Sequence, residues 1–346
     1  IKILEHIMDN PDRKDHKSKL KLNEIRGVAF LDESGKINLN GFAQAIPAEE
    51  QVFPDYKLLK SGLKDRPEEF QNYLKVGLET NWFAFDDRAK DKNRGKNIGQ
   101  IFTSKGCVAK CTFCQRSTKG YRVQPLEHLE NHLKYLKENH DVGFIQIADE
   151  NFGSNKKQAY QVADILHKNG LIWFACGVRC TSTTREDIQY YKERGCSALQ
   201  YGVESGSQTI LDLMEKVFTV DDIYSALTAC IENGIYSPLA IMLGMPGETE
   251  ETAKETGKFI GNITSKMGVH PTNIQMDIFY AIPLPGTPLW EYGEQLGVIG
   301  KKDTDVIDYL TAVSNAGTFK RYYINLNGAP ISEVLFWEYL VRFEAS

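Results

Sequence analysis

Cys107-Val-Ala-Lys-Cys111-Thr-Phe-Cys114 gathers three thiols into eight positions, at spacings of four and three. Thiolates in that arrangement suit three corners of an iron–sulfur cubane, whose fourth iron is then left open to a chelating substrate. Gly106 and Gly120 flank the run and let the backbone curl, and Phe113 can shield a cluster from water. A zinc site completed by His128 or His132 is the rival reading. The remaining cysteines, Cys176, Cys180, Cys196 and Cys230, fall on expected core elements and read as small buried apolar residues.

Carboxylates, cations and glycines recur downstream at the ends of expected strands. Asp149 and Glu150 form an acidic pair that suits a cation, or alternatively caps the following helix. Arg179 can grip a carboxylate or form a structural ion pair. Glu204 can accept from vicinal hydroxyls and Lys216 can neutralise a carboxylate, with a helix cap and a solvated lysine as the plainer readings. Met242-Leu-Gly244-Met-Pro-Gly-Glu offers a glycine turn through which backbone approaches a ligand closely.

The elements that must carry these residues alternate regularly. Apolar runs predict strands at Ile98–Thr103, Gly143–Ala148, Ile172–Val178, Ala198–Val203, Ser237–Leu243 and Asn273–Ala281. Amphipathic segments predict helices at Leu126–Glu138, Lys157–Lys168, Arg185–Arg194, Thr219–Asn233 and Thr249–Thr264. Right-handed βαβ units of this number imply an α/β fold, an open partial (β/α)6 barrel short of the closed eight, with functional loops at the carboxyl ends of its strands. A hairpin is expected at Ile25–Leu39 and a linker over Pro47–Lys64. The almost wholly polar stretch from Asp86 to Gly95 sets a boundary. The expected division is an N-terminal segment 1–95, a core 96–296 and a small α+β extension 297–346.

The chain has 346 residues, 42% hydrophobic, and a net charge of −5. That balance disfavours nucleic acid as a partner. No apolar run reaches membrane-spanning length and no secretory leader is visible. Sparse cysteines without a leader read as cytoplasmic. The opening at Ile1, within what reads as a helix, suggests that the natural protein begins earlier.

Cys-x3-Cys-x2-Cys with an aromatic before the last cysteine, after the first strand of a six-unit array, resembles the radical SAM superfamily over roughly Ile98 to Leu296. The resemblance implies a [4Fe–4S] cluster on Cys107, Cys111 and Cys114, S-adenosylmethionine (SAM) on its open iron, and an external electron donor such as flavodoxin or ferredoxin. It implies that Asp149, with Glu150 beside it, meets the SAM amino group. Gly202-Val-Glu204-Ser and Leu211-Asp-Leu-Met-Glu-Lys216 resemble the cobalamin-associated group of that superfamily, where the acid meets the ribose and the lysine the methionyl carboxylate. The turn at Gly244 would lie near the adenine, and Arg179 could meet the SAM carboxylate or the substrate. Ile25-Arg-Gly-Val-Ala-Phe, Gly35-Lys-Ile-Asn and Phe53-Pro-Asp-Tyr-Lys-Leu-Leu59 resemble the stretch that follows a cobalamin-binding domain. His6 and His16 lack the context of a cobalamin ligand, so cobalamin itself stays open. Methyl transfer to an unactivated carbon of a small molecule is the reaction this implies, with ring formation or oxidation as variants. The alternatives are a tRNA methylthiotransferase, against which stand a Cys-free first 100 residues and a tail that is not basic, and a zinc-stabilised binding module.

Overall fold

From residue 97 onward, runs rich in Val, Ile and Phe alternate with helices, several of which begin at a threonine cap, the pattern that drives a parallel sheet covered by helices. The computed structural model describes residues 25–31, 34, 37–41, 46–75, 83, 86, 88, 95–115, 120–268, 276–299, 306, 309–311 and 323–346. It divides into two units, residues 1–51 and 52–346. The first contains a hairpin of β1 (Ala29–Leu31) and β2 (Ile37–Leu39), antiparallel with Ala29 opposite Leu39, as expected. The expected opening helix, His6 and His16 lie outside the described residues.

The second unit opens with α1 (Tyr56–Gly62) and α2 (Pro67–Tyr73). Then follow β3 (Asn97–Ile101), the short β4 (Ser104–Lys105) and β5 (Arg122–Val123), α3 (Leu126–His140), β6 (Val142–Ile147) and α4 (Lys156–Lys168). The array continues with β7 (Ile172–Val178), α5 (Arg185–Glu193), β8 (Cys196–Tyr201), α6 (Gln208–Leu213), α7 (Val220–Glu232), β9 (Leu239–Leu243), α8 (Glu250–Met267) and β10 (Met276–Tyr280). Two further helices, α9 (Pro288–Gln295) and α10 (Ile331–Glu344), end it.

Four strands pair in parallel in the order β3-β6-β7-β8, and β9 pairs in parallel with β10. Single bridges from Ala198 to Tyr236 and from Glu204 to Ile241 carry the first group over to the second. The result is the open six-strand barrel that the alternation predicts. Thr184, Thr219 and Thr249 each close a capping box at the start of α5, α7 and α8, so three of these helices begin where their sequences direct.

One sheet face packs on helices. Trp173 is fully buried, its ring 5.7 Å from Tyr191 of α5, and its indole N–H donates to the Arg194 carbonyl at 2.8 Å. The other face is floored by Phe83, whose ring centroid stands 4.6 Å from Phe144 and 5.2 Å from Phe174. Arg88 clamps the same stretch, bonding both oxygens of buried Asp86 and the carbonyls of Lys192 and Cys196. The expected linker and boundary therefore need correction. Part of 47–64 is helix α1, and Phe83, Asp86 and Arg88 belong to the barrel unit because an apolar face needs a cover, which these residues supply. The tail also differs: after Tyr280 the described elements are helices, with Val334, Trp337 and Val341 of α10 buried.

Phe83→Ala tests that placement. A linker residue would tolerate the change; a floor residue should lose about 3–5 kcal/mol in urea unfolding.

Candidate functional site

The rim at the carboxyl ends of the strands collects nearly every residue singled out by type and spacing. The cysteine loop leaves β4 and is held from two sides. Thr112 donates its backbone N–H to the Met214 carbonyl at 3.1 Å and its hydroxyl to the Leu213 carbonyl at 3.1 Å, while Leu289 N–H donates to the Thr112 carbonyl at 3.1 Å. The Gln115 amide reaches the Pro285 carbonyl at 3.0 Å. The loop is thus tied to the end of α6, to the turn after β10 and to the start of α9, across the mouth of the barrel.

Within it, burial and the nearby Cys111 and Cys107 push the Cys114 thiol above its ordinary range. Thiols that raise one another in this way accept a cationic partner well, since each bound iron removes the repulsion. Among the described residues no three His, Cys, Asp or Glu side chains are arranged to hold a single metal ion. A tetrahedral zinc would draw its sulfurs to within about 4 Å of one another, whereas cubane ligands sit on separate irons and spread further. His132, the zinc reading's spare ligand, is instead stacked on Phe53 at 4.2 Å, and burial lowers it to about 4. Three thiols at this spacing suit three irons of a cluster whose fourth position stays open.

Lys216, which is buried, and Glu204 form a largely sheltered ion pair, Nζ to Oε1 at 3.2 Å. The ammonium lies 5.8 Å from the ring of Phe113, between two of the cysteines, and 5.2 Å from that of Phe218. Gly202 leaves room for the pair: a Cβ there would stand 3.0 Å from Glu204 Oε1 and 3.1 Å from Lys216 Nζ. The backbone is bent to bring them together. Glu204, Glu215 and Val217 all have left-handed backbones, with φ of 63°, 52° and 55°. Such residues cost about 1–3 kcal/mol each and persist where surroundings hold them. Glu204 is held by a parallel bridge to Ile241, and Arg179 donates to the Lys216 carbonyl at 2.5 Å. Arg179 therefore braces the lysine's backbone.

Asp149 stands apart from this group. It is buried, and Thr103 N–H (2.6 Å), Thr103 Oγ1 (2.7 Å) and Ser104 Oγ (2.6 Å) all donate to its oxygens. Burial raises its pKa against those bonds. Glu150, next to it, is exposed and close enough to influence Cys114. Thr103 and Ser104 escape a reading by residue type, although hydroxyls directly before a cysteine loop are a usable signal. Cys180, Cys196 and Cys230 are buried as expected, while Cys176 is half-buried and accepts weakly from the Gln146 amide at 3.7 Å. Burial pushes all four thiols up, to about 11 at Cys176 and about 12 at Cys180 and Cys230.

Gly244 follows β9 in a left-handed turn. Its N–H donates to Glu248 and its carbonyl accepts from the Tyr323 hydroxyl at 3.0 Å. Glu248 is buried, its second oxygen has no hydrogen-bond partner among the described residues, and burial raises its carboxyl from 4.5 to about 8.

Residues 101–260 match the Radical SAM superfamily. The chain is 29% identical over 207 residues to the uncharacterized methyltransferase PH0819 of Pyrococcus horikoshii, covering 59% of this chain and 43% of that protein. It is 23% identical over 242 residues to the anaerobic magnesium-protoporphyrin IX monomethyl ester cyclase of Rubrivivax gelatinosus, covering 68% and 39%. It thus spans less than half the length of these relatives. The cobalamin-dependent S-adenosylmethionine radical enzyme OxsB shares the fold, with a TM-score of 0.53 and 19% identity over 84% of this chain and 38% of that one. Among the described residues no helix is long and apolar enough to cross a membrane.

The raised Glu248 predicts a pH effect. Between about pH 4.5 and 8 the folded state keeps a proton that the unfolded chain has lost, so this contribution is fully present below about 4.5 and vanishes as pH rises through about 8. The urea midpoint should fall between pH 6 and pH 9, and Glu248→Gln should flatten that fall.

Proposed function

The chain carries a radical SAM superfamily domain over residues 101–260, and we propose that its rim holds a [4Fe–4S] cluster on Cys107, Cys111 and Cys114 with SAM between that loop and the Glu204–Lys216 pair. The observation that carries this reading is the convergence of the Glu204–Lys216 pair on the three-cysteine loop, where the ammonium lies 5.8 Å from the Phe113 ring. A reduced cluster held by Cys107, Cys111 and Cys114 would supply the one electron needed to split the C5′–S bond of SAM into methionine and a 5′-deoxyadenosyl radical, the hydrogen-abstracting species.

The chain's own residues bind and orient. Lys216 neutralises the methionyl carboxylate, and its place between Phe113 and Phe218 keeps the ammonium aimed at the cysteine loop. Glu204 accepts from the ribose hydroxyls. Glu150 takes the amino group, because the oxygens of Asp149 are already engaged in fixing the root of the loop. Arg179 positions Lys216 through its carbonyl. Glu248 and Tyr323 hold the N–H and carbonyl of Gly244, so an adenine contact at this turn falls to the neighbouring backbone and not to Gly244.

The substrate is a small molecule, and the similarity to a methyltransferase supports methyl transfer at an unactivated carbon, with a cobalamin module preceding residues 25–60. The similarity to a cyclase supports oxidative ring closure as the second reading. The electron comes from outside. Residues 105–122 hold five bases, Lys105, Lys110, Arg116, Lys119 and Arg122, and no acid, which suits an acidic donor such as flavodoxin or ferredoxin. Free thiols in this number suit a reducing, cytoplasmic setting.

Anaerobic reconstitution with iron and sulfide should give a brown protein that releases 5′-deoxyadenosine from SAM after reduction. A colourless protein holding one tight zinc would overturn the reading. Alanine at Cys107, Cys111 or Cys114 should abolish both colour and cleavage, while alanine at Cys176, Cys180, Cys196 or Cys230 should keep the cluster. Gly202→Ala should keep the brown colour and weaken SAM binding about tenfold, measured by equilibrium dialysis, since it displaces a charge-assisted pair.

A further inference from the structure

Residues 323–329, which lead into α10, supply none of the groups assigned to the rim, yet they are bonded at several points to the turn that follows β9. The Tyr323 hydroxyl donates to the Gly244 carbonyl at 3.0 Å. Asn327 Nδ2 donates to the carbonyls of Met245 and Glu248, each at 2.8 Å. Carbonyls in an irregular turn have no ladder to join, so side-chain donors must satisfy them. The stretch also holds its own shape. Asn325 Oδ1 accepts the Asn327 N–H at 3.1 Å, Asn325 Nδ2 donates to the Ala329 carbonyl at 2.6 Å, and Asn327 Oδ1 accepts the Ala329 N–H at 3.2 Å.

The residues between these donors serve a second purpose. Leu326 is buried and Ile324 half-buried, and both belong to the apolar cluster of Met214, Met245 and Leu289 against which Phe113 of the cysteine loop packs. Met214 and Leu289 are also the residues whose backbone holds Thr112 in that loop. The stretch is thus joined to the turn by hydrogen bonds and to the cysteine loop by a shared core. The turn is shaped to fit between them. A Cβ at Gly244 would stand 2.5 Å from the Tyr323 hydroxyl, and one at Gly247 would stand 2.7 Å from Leu213, whose carbonyl accepts from Thr112. Both glycines have left-handed backbones, with φ of 82°.

We propose that residues 323–329 are a strap that positions SAM, with Tyr323 and Asn327 as its positioning residues. By clamping the carbonyls of Gly244, Met245 and Glu248 they fix the turn after β9 relative to the cysteine loop. The adenosyl end of SAM then meets backbone already set at the right distance from the cluster, which spares the ligand the cost of ordering it. The inference rests on SAM lying at the rim with its adenosyl end at this turn.

Equilibrium dialysis of the reconstituted protein with SAM and with 5′-deoxyadenosine, which lacks the methionyl end, separates the two halves of the ligand. Tyr323→Phe and Asn327→Ala should each weaken both ligands about 3- to 10-fold while the cluster absorbance is retained. Lys216→Met, acting at the methionyl end, should weaken SAM and spare 5′-deoxyadenosine. Asn327→Asp keeps the acceptor for the Ala329 N–H and removes the two donors, so it should weaken binding as Asn327→Ala does. Parent affinity in Asn327→Asp, strap variants that weaken SAM but not 5′-deoxyadenosine, or a parent protein without saturable 5′-deoxyadenosine binding would each overturn the assignment. A protein that forms no cluster sinks the rim reading. A brown protein whose strap variants bind both ligands as the parent does sinks only the strap.

Discussion

Both oxygens of Asp149 are engaged by Thr103 and Ser104, where the first barrel strand gives way to the cysteine loop. A carboxylate this deeply buried is unfavourable unless donors surround it, and the donors here all come from one short stretch of chain. The same carboxylate lies at the end of β6, the neighbouring strand. Its bonds therefore set where the loop starts relative to the sheet, and every thiol downstream inherits that origin. Gly177 extends the joint: a Cβ there would stand 2.3 Å from the Asp149 carbonyl, so the acidic turn can lie flat on the end of β7 only because that position has no side chain.

From that origin the loop crosses the mouth and is received on the far side by α6 and by the turn after β10. The receiving side carries the local strain. Three left-handed residues, Glu204, Glu215 and Val217, place a carboxylate and an ammonium in contact beneath the cysteines. A β-branched residue such as Val217 adopts that conformation poorly, and the compensation is visible in the bridge to β9 and in the brace from Arg179. Preorganised charge of this kind binds a zwitterionic ligand without rearranging when it arrives.

Much of this was legible in the residues. The six strands follow from apolar runs whose observed bounds, such as Val142–Ile147 and Ile172–Val178, fall within a few residues of expectation. Capping boxes mark helix starts at Thr184, Thr219 and Thr249 because both halves of the motif are local. The stretch containing Phe83, Asp86 and Arg88 was misread as a boundary because its polar density is a local property. Its partners, Phe144, Phe174, Lys192 and Cys196, lie far along the chain. The tail was misread for the same reason: α10 is apolar on several sides, and only its packing partners select helix.

The sequence by itself determined the chemistry available at the rim, since the cysteine spacing and the order of acids and bases at strand ends depend only on residue type and βα alternation. The tertiary structure decided which of those residues face a ligand. Asp149 and Glu150 are adjacent and alike in type, yet one is buried in the joint and the other is exposed. Cys176, within β7, is half-buried, whereas Cys180, past the strand's end, is core. A one-residue step along a strand end reverses the direction of a side chain, and residue type carries no record of that direction.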